Sequence, residues 1–231
     1  MTDYDPNGHG TKMLSKIAAV TDDLGPNLGV SRGASIVVVK LPEPIPLRTA
    51  NGGVAVIQST VTHAWNLIYD DVVAHGYLFG KAVISLSQGP LLNHAAELDE
   101  ILMPELDQDD AAGMAYWDDY RIMRRLFDLG VTIVHASGNQ GDPDEGRDAN
   151  YELTDPMDLW GSQYNFPIIV VGAVDNAGVA WEGTQWVPPS PPNPFSGARV
   201  HVWAPGVDVL TNGPGSELEQ VEGTSVCKFN P

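Results

Sequence analysis

Three short motifs hold the residues of this chain that could do chemistry. They are Asn7-Gly8-His9-Gly10-Thr11, Ala136-Ser137-Gly138-Asn139 at the end of an apolar run, and Gly223-Thr224-Ser225. An imidazole titrating near neutrality can take a proton from a hydroxyl and return it to a leaving amine. A serine on a sharp turn, ahead of a helix N-terminus, is placed to act as a nucleophile. An amide following a strand can donate to an oxyanion, a contribution of about 3 kcal/mol. Histidine, amide and serine together are what acyl transfer by an activated serine requires. Each motif alone is ordinary: a histidine in a glycine turn, a Gly-Asn turn after a strand, a Gly-Thr-Ser loop. His63, His75, His94, His135 and His201 lack such company and are expected to be ordinary surface histidines.

The elements needed to position these residues alternate along the chain, the pattern of an α/β fold on a parallel sheet. Helical periodicity runs over Thr11–Val20, with Met13, Leu14, Ile17 and Ala18 on one face. It returns over Val54–Val73, where Ile57, Val61, Ala64, Trp65, Ile68 and Val72 share a face, and over Met114–Leu129, stopped by Gly130. Ile36-Val37-Val38-Val39 reads as a strand buried on both faces. Further strands are expected at Ala82–Leu86, Val131–Ala136, Ile168–Ala173 and Val200–Ala204, the last clear one. Gly25-Pro26-Asn27 reads as a turn, and the proline-rich Val187–Pro194 must be irregular.

The 231 residues are read as a single domain, with acidic insertions near 91–113 and 140–165 and no internal repeat. At 43% hydrophobic and 18% charged, the composition is ordinary for a globular protein and argues against disorder. The net charge of −18 argues against nucleic acid and anionic membranes as partners, since phosphate binding depends on clustered Lys and Arg. No apolar run is long enough to span a bilayer. The single Cys227 excludes an intrachain disulfide and leaves the redox compartment open. Met1-Thr2-Asp3-Tyr4-Asp5 has no signal-peptide character, so localisation is unassigned. Asp142-Pro143-Asp144-Glu145-Gly146-Arg147-Asp148 spaces carboxylates as some calcium loops do, but it lacks the full ligand series. It is read as a solvated acidic loop, with no metal and no cofactor expected. Trp181 and Trp186 are expected to cap a hydrophobic edge.

In this order, the motifs resemble those of the subtilisin-like serine peptidases. Asn7–Thr11 resembles the family's histidine motif, Val131–Asn139 its oxyanion motif, and Glu222-Gly223-Thr224-Ser225 its nucleophile motif. Between them, Gly29–Ala34 leading into Ile36–Lys40, and Val83-Ile84-Ser85-Leu86-Ser87-Gln88-Gly89, resemble two of its strands. Ile169–Asp175 and Val202-Trp203-Ala204-Pro205-Gly206 resemble two structural motifs that follow. The resemblance implies a three-layer fold with a mainly parallel central sheet, incomplete at its N- and C-terminal sides. It implies a peptide or protein substrate, His9 as general base and then acid, Ser225 as nucleophile, and Asn139 in the oxyanion hole. Ser87 and Gly89 would pair with an extended substrate, and Ala136, Ser137 and Gly138 would line its specificity pocket. A related family has glutamate and aspartate where His9 and Asn139 stand, so these two residues place the chain on the subtilisin side.

The chain also departs from the family pattern. The family's catalytic aspartate ends a strand well upstream of the histidine, whereas Asp3 and Asp5 lie too close to His9. Lys12 stands where the family usually repeats histidine, and Val226–Pro231 does not match the family's helix after the serine. Losing the carboxylate that orients the imidazole costs on the order of 10⁴-fold in turnover. The expectation is a peptidase domain with little or no activity of its own, or alternatively a non-catalytic peptide-binding domain on the same scaffold.

Overall fold

The computed structural model describes residues 8–18, 29–31, 33–41, 58–87, 111–139, 168–184, 200–213 and 217–227. Their helices are α1 (His9–Ala18), α2 (Gln58–Ala74) and α3 (Ala111–Asp128). The strands are β1 (Val83–Leu86), β2 (Thr132–Ala136), β3 (Ile169–Val174) and β4 (Val202–Pro205), followed by β5 (Val209–Asn212) and β6 (Leu218–Val221). Strands β1 to β4 form a parallel sheet in sequential order, and β5 and β6 form an antiparallel hairpin. This is the expected α/β architecture. The insertions near 91–113 and 140–165, the Gly25-Pro26-Asn27 turn, Val187–Pro194, Trp186, His94 and the acidic loop 142–148 fall wholly or mostly outside the described residues.

The sheet is covered on both faces, and that coverage explains its composition. On one face, Ile122, Met123 and Leu126 of α3 and Trp65 and Val72 of α2 pack against Val131, Ile133 and Val170. On the other, Val171, Ala173 and Ala204 pack with Cys227, and Trp181 lies against that cluster. Strand β3, buried from both sides, is a continuous apolar run. In β1, by contrast, Ile84 and Leu86 pack against the α2–α3 cluster while Val83 faces out, 66% exposed. The α3–β2 connection is tight: Gly130 has φ +79°, and a Cβ there would meet the Gly80 backbone at 2.8 Å. A non-glycine residue would be both strained and obstructed.

Three expectations are corrected. Residues 36–39 are not a strand buried on both faces: they carry no regular secondary structure, pair with no described strand, and expose Ile36 (40%), Val37 (66%), Val38 (69%) and Val39 (36%). β-branching favours extended backbone, but burial depends on neighbours that the described residues do not provide. Val200–Ala204 is not the last strand, because the β5–β6 hairpin follows β4. Its strands are four residues each, too short for alternation to be distinctive. On α1, the buried side chains are Met13 and Ser15, so the inward face includes a hydroxyl that periodicity alone passes over.

Candidate active site

His9, Ser87, Asn139 and Ser225 stand on four separate elements. Ser87 follows the carboxyl end of β1, and Asn139 lies three residues beyond β2. Both therefore sit at the edge of a parallel sheet where ligands of α/β folds bind. His9 is the first residue of α1, and Ser225 lies in the 3₁₀ turn Thr224–Val226. The turn is short and ends before Cys227, consistent with Val226–Pro231 not matching the family's helix after the serine.

Two anchors hold α1 against the hairpin. The Asn212 N–H donates to Ser15 Oγ at 3.1 Å, and Ser15 Oγ donates to the Lys12 carbonyl at 2.8 Å. Lys12 Nζ pairs with Glu219 of β6 at 2.6 Å. The departure at Lys12 is thus met by a carboxylate from the hairpin. Sequence reading missed Ser15, Lys12 and Glu219 as positioning groups; the only signal was a lysine and a serine on the apolar side of a short helix.

The serine turn is built from the sheet end. The Gly223 N–H donates to Gly206 O, and Gly206 N–H to Val174 O, both at 2.9 Å or less. Gly223 has φ +138°, and a Cβ there would lie 3.1 Å from Asn139 Nδ2, so glycine is required for conformation and for space. Cys227 Sγ donates to Gly223 O, and burial pushes its thiol up to about 12.

Asn139 is oriented by Thr224, a residue 2% exposed. Asn139 Oδ1 accepts from Thr224 N–H at 2.9 Å and from Thr224 Oγ1 at 2.8 Å, while Gly138 N–H donates to Thr224 Oγ1 at 3.1 Å. Oδ1 accepts from two donors, and Nδ2 is the donor end of the amide. Thr224 was visible in the Gly-Thr-Ser motif, but its hydrogen bonds across 85 residues were not.

The His9 imidazole and the Ser225 hydroxyl meet at one acceptor. Ser225 Oγ donates to the Ser87 carbonyl at 3.1 Å, and His9 Nε2 lies 3.3 Å from the same oxygen. Ser87 Oγ in turn donates to Ser225 O at 3.3 Å. Ala136 and Gly138 are half-buried, and Ser137 is buried with its N–H on Val171 O. Gly89 and Asn7 lie outside the described residues. His135 corrects the surface expectation: it is 5% exposed, and its Nδ1 donates to Ala136 O. Among the described residues no cluster of His, Cys, Asp and Glu could hold a metal, and no helix is long and apolar enough to cross a membrane.

Residues 2–228 match the model of the subtilase family. The chain belongs to that family. Two solved structures share the fold of this subtilase chain. The prenylagaramide maturation protease PagA is 18% identical with a TM-score of 0.55, over 95% of this chain and 59% of that one. The patellamide maturation protease PatA is also 18% identical, with a TM-score of 0.54 over 96% of this chain and 61% of that one. This subtilase chain therefore spans about three fifths of the length of either protease.

Proposed function

We propose that this chain is a serine-type endopeptidase domain that hydrolyses peptide bonds through an acyl-enzyme at Ser225. His9 is the base that accepts the Ser225 proton and returns it to the leaving amine, and Asn139 Nδ2 donates to the oxyanion. The Ser87–Gly89 segment takes an extended substrate by strand addition, and Ala136–Gly138 border the side-chain pocket. The substrate is a peptide or protein; nucleic acid and membrane are not partners, and the reaction calls on no organic or redox cofactor. The observation that supports this reading is the convergence of His9 and Ser225, 216 positions apart in sequence, on the Ser87 carbonyl.

In the same reading the 231 residues lack the triad aspartate and are inactive alone. Incubation with a fluorophosphonate serine probe tests this. No labelling above that of Ser225→Ala is expected, and robust labelling of Ser225 that disappears in His9→Ala would overturn the inactivity. A second reading, a non-catalytic peptide-binding domain, is favoured by one feature: the Ser225 hydroxyl is held by a carbonyl and not by the imidazole. Peptide binding unchanged by Ser225→Ala would support it, and absence of binding would remove it.

A further inference from the structure

The four histidines with described ring contacts do not all hold their proton on the same nitrogen. A carbonyl only accepts, so a ring nitrogen bonded to one must carry hydrogen; a ring nitrogen facing a backbone N–H must be bare. His135 Nδ1 faces Ala136 O and His75 Nδ1 faces Asp71 O, so both rings are protonated at Nδ1. His201 Nδ1 accepts from Val170 N–H at 3.0 Å, so a neutral ring there carries its proton on Nε2. His9 directs Nε2 at the Ser87 carbonyl.

From this geometry we propose that the Ser87 carbonyl is a tautomer-selecting group, holding His9 in the Nε2–H form in which it cannot act as a base toward Ser225. A base must offer the Nε2 lone pair to the serine proton, and in the Nε2–H form that position already carries hydrogen. The same carbonyl accepts the Ser225 proton, so one oxygen occupies both groups. It acts on any reaction through His9 and Ser225, as a positioning group. Among the described residues, the printed contact of the His9 ring is the one from Nε2 to the Ser87 carbonyl. A carboxylate at Nδ1 would accept a proton on that nitrogen, empty Nε2 and release the ring from the Ser87 carbonyl. The substrate N–H that claims this carbonyl by strand addition would work in the same direction, displacing Ser225 Oγ from it.

The inference rests on the peptidase reading only for its effect on reactivity; the tautomer is measured independently. Long-range ¹H–¹⁵N spectra of the ¹⁵N-histidine-labelled chain, above the imidazole titration range, distinguish the two nitrogens of each ring. His9→Gln assigns the His9 signals. His135 and His201 serve as internal references for the two tautomers, and exposed His63 for a solvated ring. His9 is expected as a single Nε2–H tautomer, in the wild type and in Ser225→Ala, since its contact does not use the hydroxyl. Adding molar formate, with chloride at matched ionic strength as control, should shift it toward Nδ1–H. Fluorophosphonate labelling of Ser225 should rise in parallel to about tenfold above the Ser225→Ala background, a small part of the roughly 10⁴-fold that a wrong tautomer costs. A His9 ring in the Nδ1–H form without formate, or averaged like His63, would overturn the proposal. A ring in the Nε2–H form that shifts with formate while Ser225 stays unlabelled would support the tautomer selection and overturn the peptidase reading.

Discussion

Ile36-Val37-Val38-Val39 and Ile168-Ile169-Val170-Val171 are nearly the same sequence with opposite fates. In the second, Ile168, Val170 and Val171 are at most 2% exposed, between α3 on one face and the Cys227 cluster on the other. In the first, every side chain is at least 36% exposed and no described strand pairs with the backbone. β-branched residues suit both, because they favour extended backbone in either setting. What differs is the apolar area removed from water, which contributes about 25 cal/mol per Å² and is nearly absent in the first run. A strand-forming sequence is therefore not by itself a strand, and the stability of this sheet lies in its β2–β3 centre.

The sharpest way to break that contrast is a charge at matched positions. Val170→Asp places a carboxylate in the core and should cost more than about 4 kcal/mol, enough to abolish cooperative unfolding. Val38→Asp should leave the urea midpoint within about 0.5 kcal/mol of wild type. Equal losses would mean that residues 36–39 are buried in solution.

A smaller effect tests the polar part of the buried side. Thr184 Oγ1 accepts from Ala173 N–H and donates to Ala173 O, and the residue is 2% exposed. Thr184→Val leaves both backbone groups without that partner and should cost about 2 kcal/mol by chemical denaturation. A neutral result would show that water replaces the hydroxyl.

Cys227 sharpens the comparison through pH. Its thiol is held at about 12 against an ordinary 9.0, because burial opposes the thiolate. The folded state therefore keeps the proton while the unfolded state gives it up, and the protein loses stability as pH rises from 9 toward about 12. Cys227→Ala lacks this dependence, so the stability difference between the two proteins should narrow as pH rises above 9. A difference constant with pH would show the thiol to be solvated. Below that range, iodoacetamide should modify Cys227 only after unfolding.

The smallest expected effect is at the hairpin, a partly exposed region between the two extremes. Lys12→Met should cost about 0.5 to 1 kcal/mol, since its carboxylate partner is 38% exposed and screened by water. The exchange Lys12→Glu with Glu219→Lys should recover much of the loss. Failure to recover it would assign the loss to packing of the lysine stem.

Most helices and strands were legible because their patterns are local. The Trp65–Ile68–Val72 face of α2 and the apolar run of β3 follow from spacing and composition, and both lie in the core. The run 36–39 misled because its local pattern equals that of a buried strand. The β5–β6 hairpin went unread because its four-residue strands repeat no period long enough to count. His135 and Ser15 are buried by neighbours from other elements, which no local pattern announces.

At the candidate site, the identity and order of His9, Asn139 and Ser225 were in the sequence, as were the glycines that let their turns form. The tertiary structure decided what each group faces. The Ser87 carbonyl holds Ser225 across 138 residues, Thr224 orients Asn139 across 85, and Asn212 braces the histidine helix through Ser15 across 197. Residue types and short turns are settled by side-chain chemistry and backbone sterics within a few positions. Hydrogen-bond direction depends on where distant elements place one atom to within a few tenths of an ångström, and only the packed sheet sets that placement.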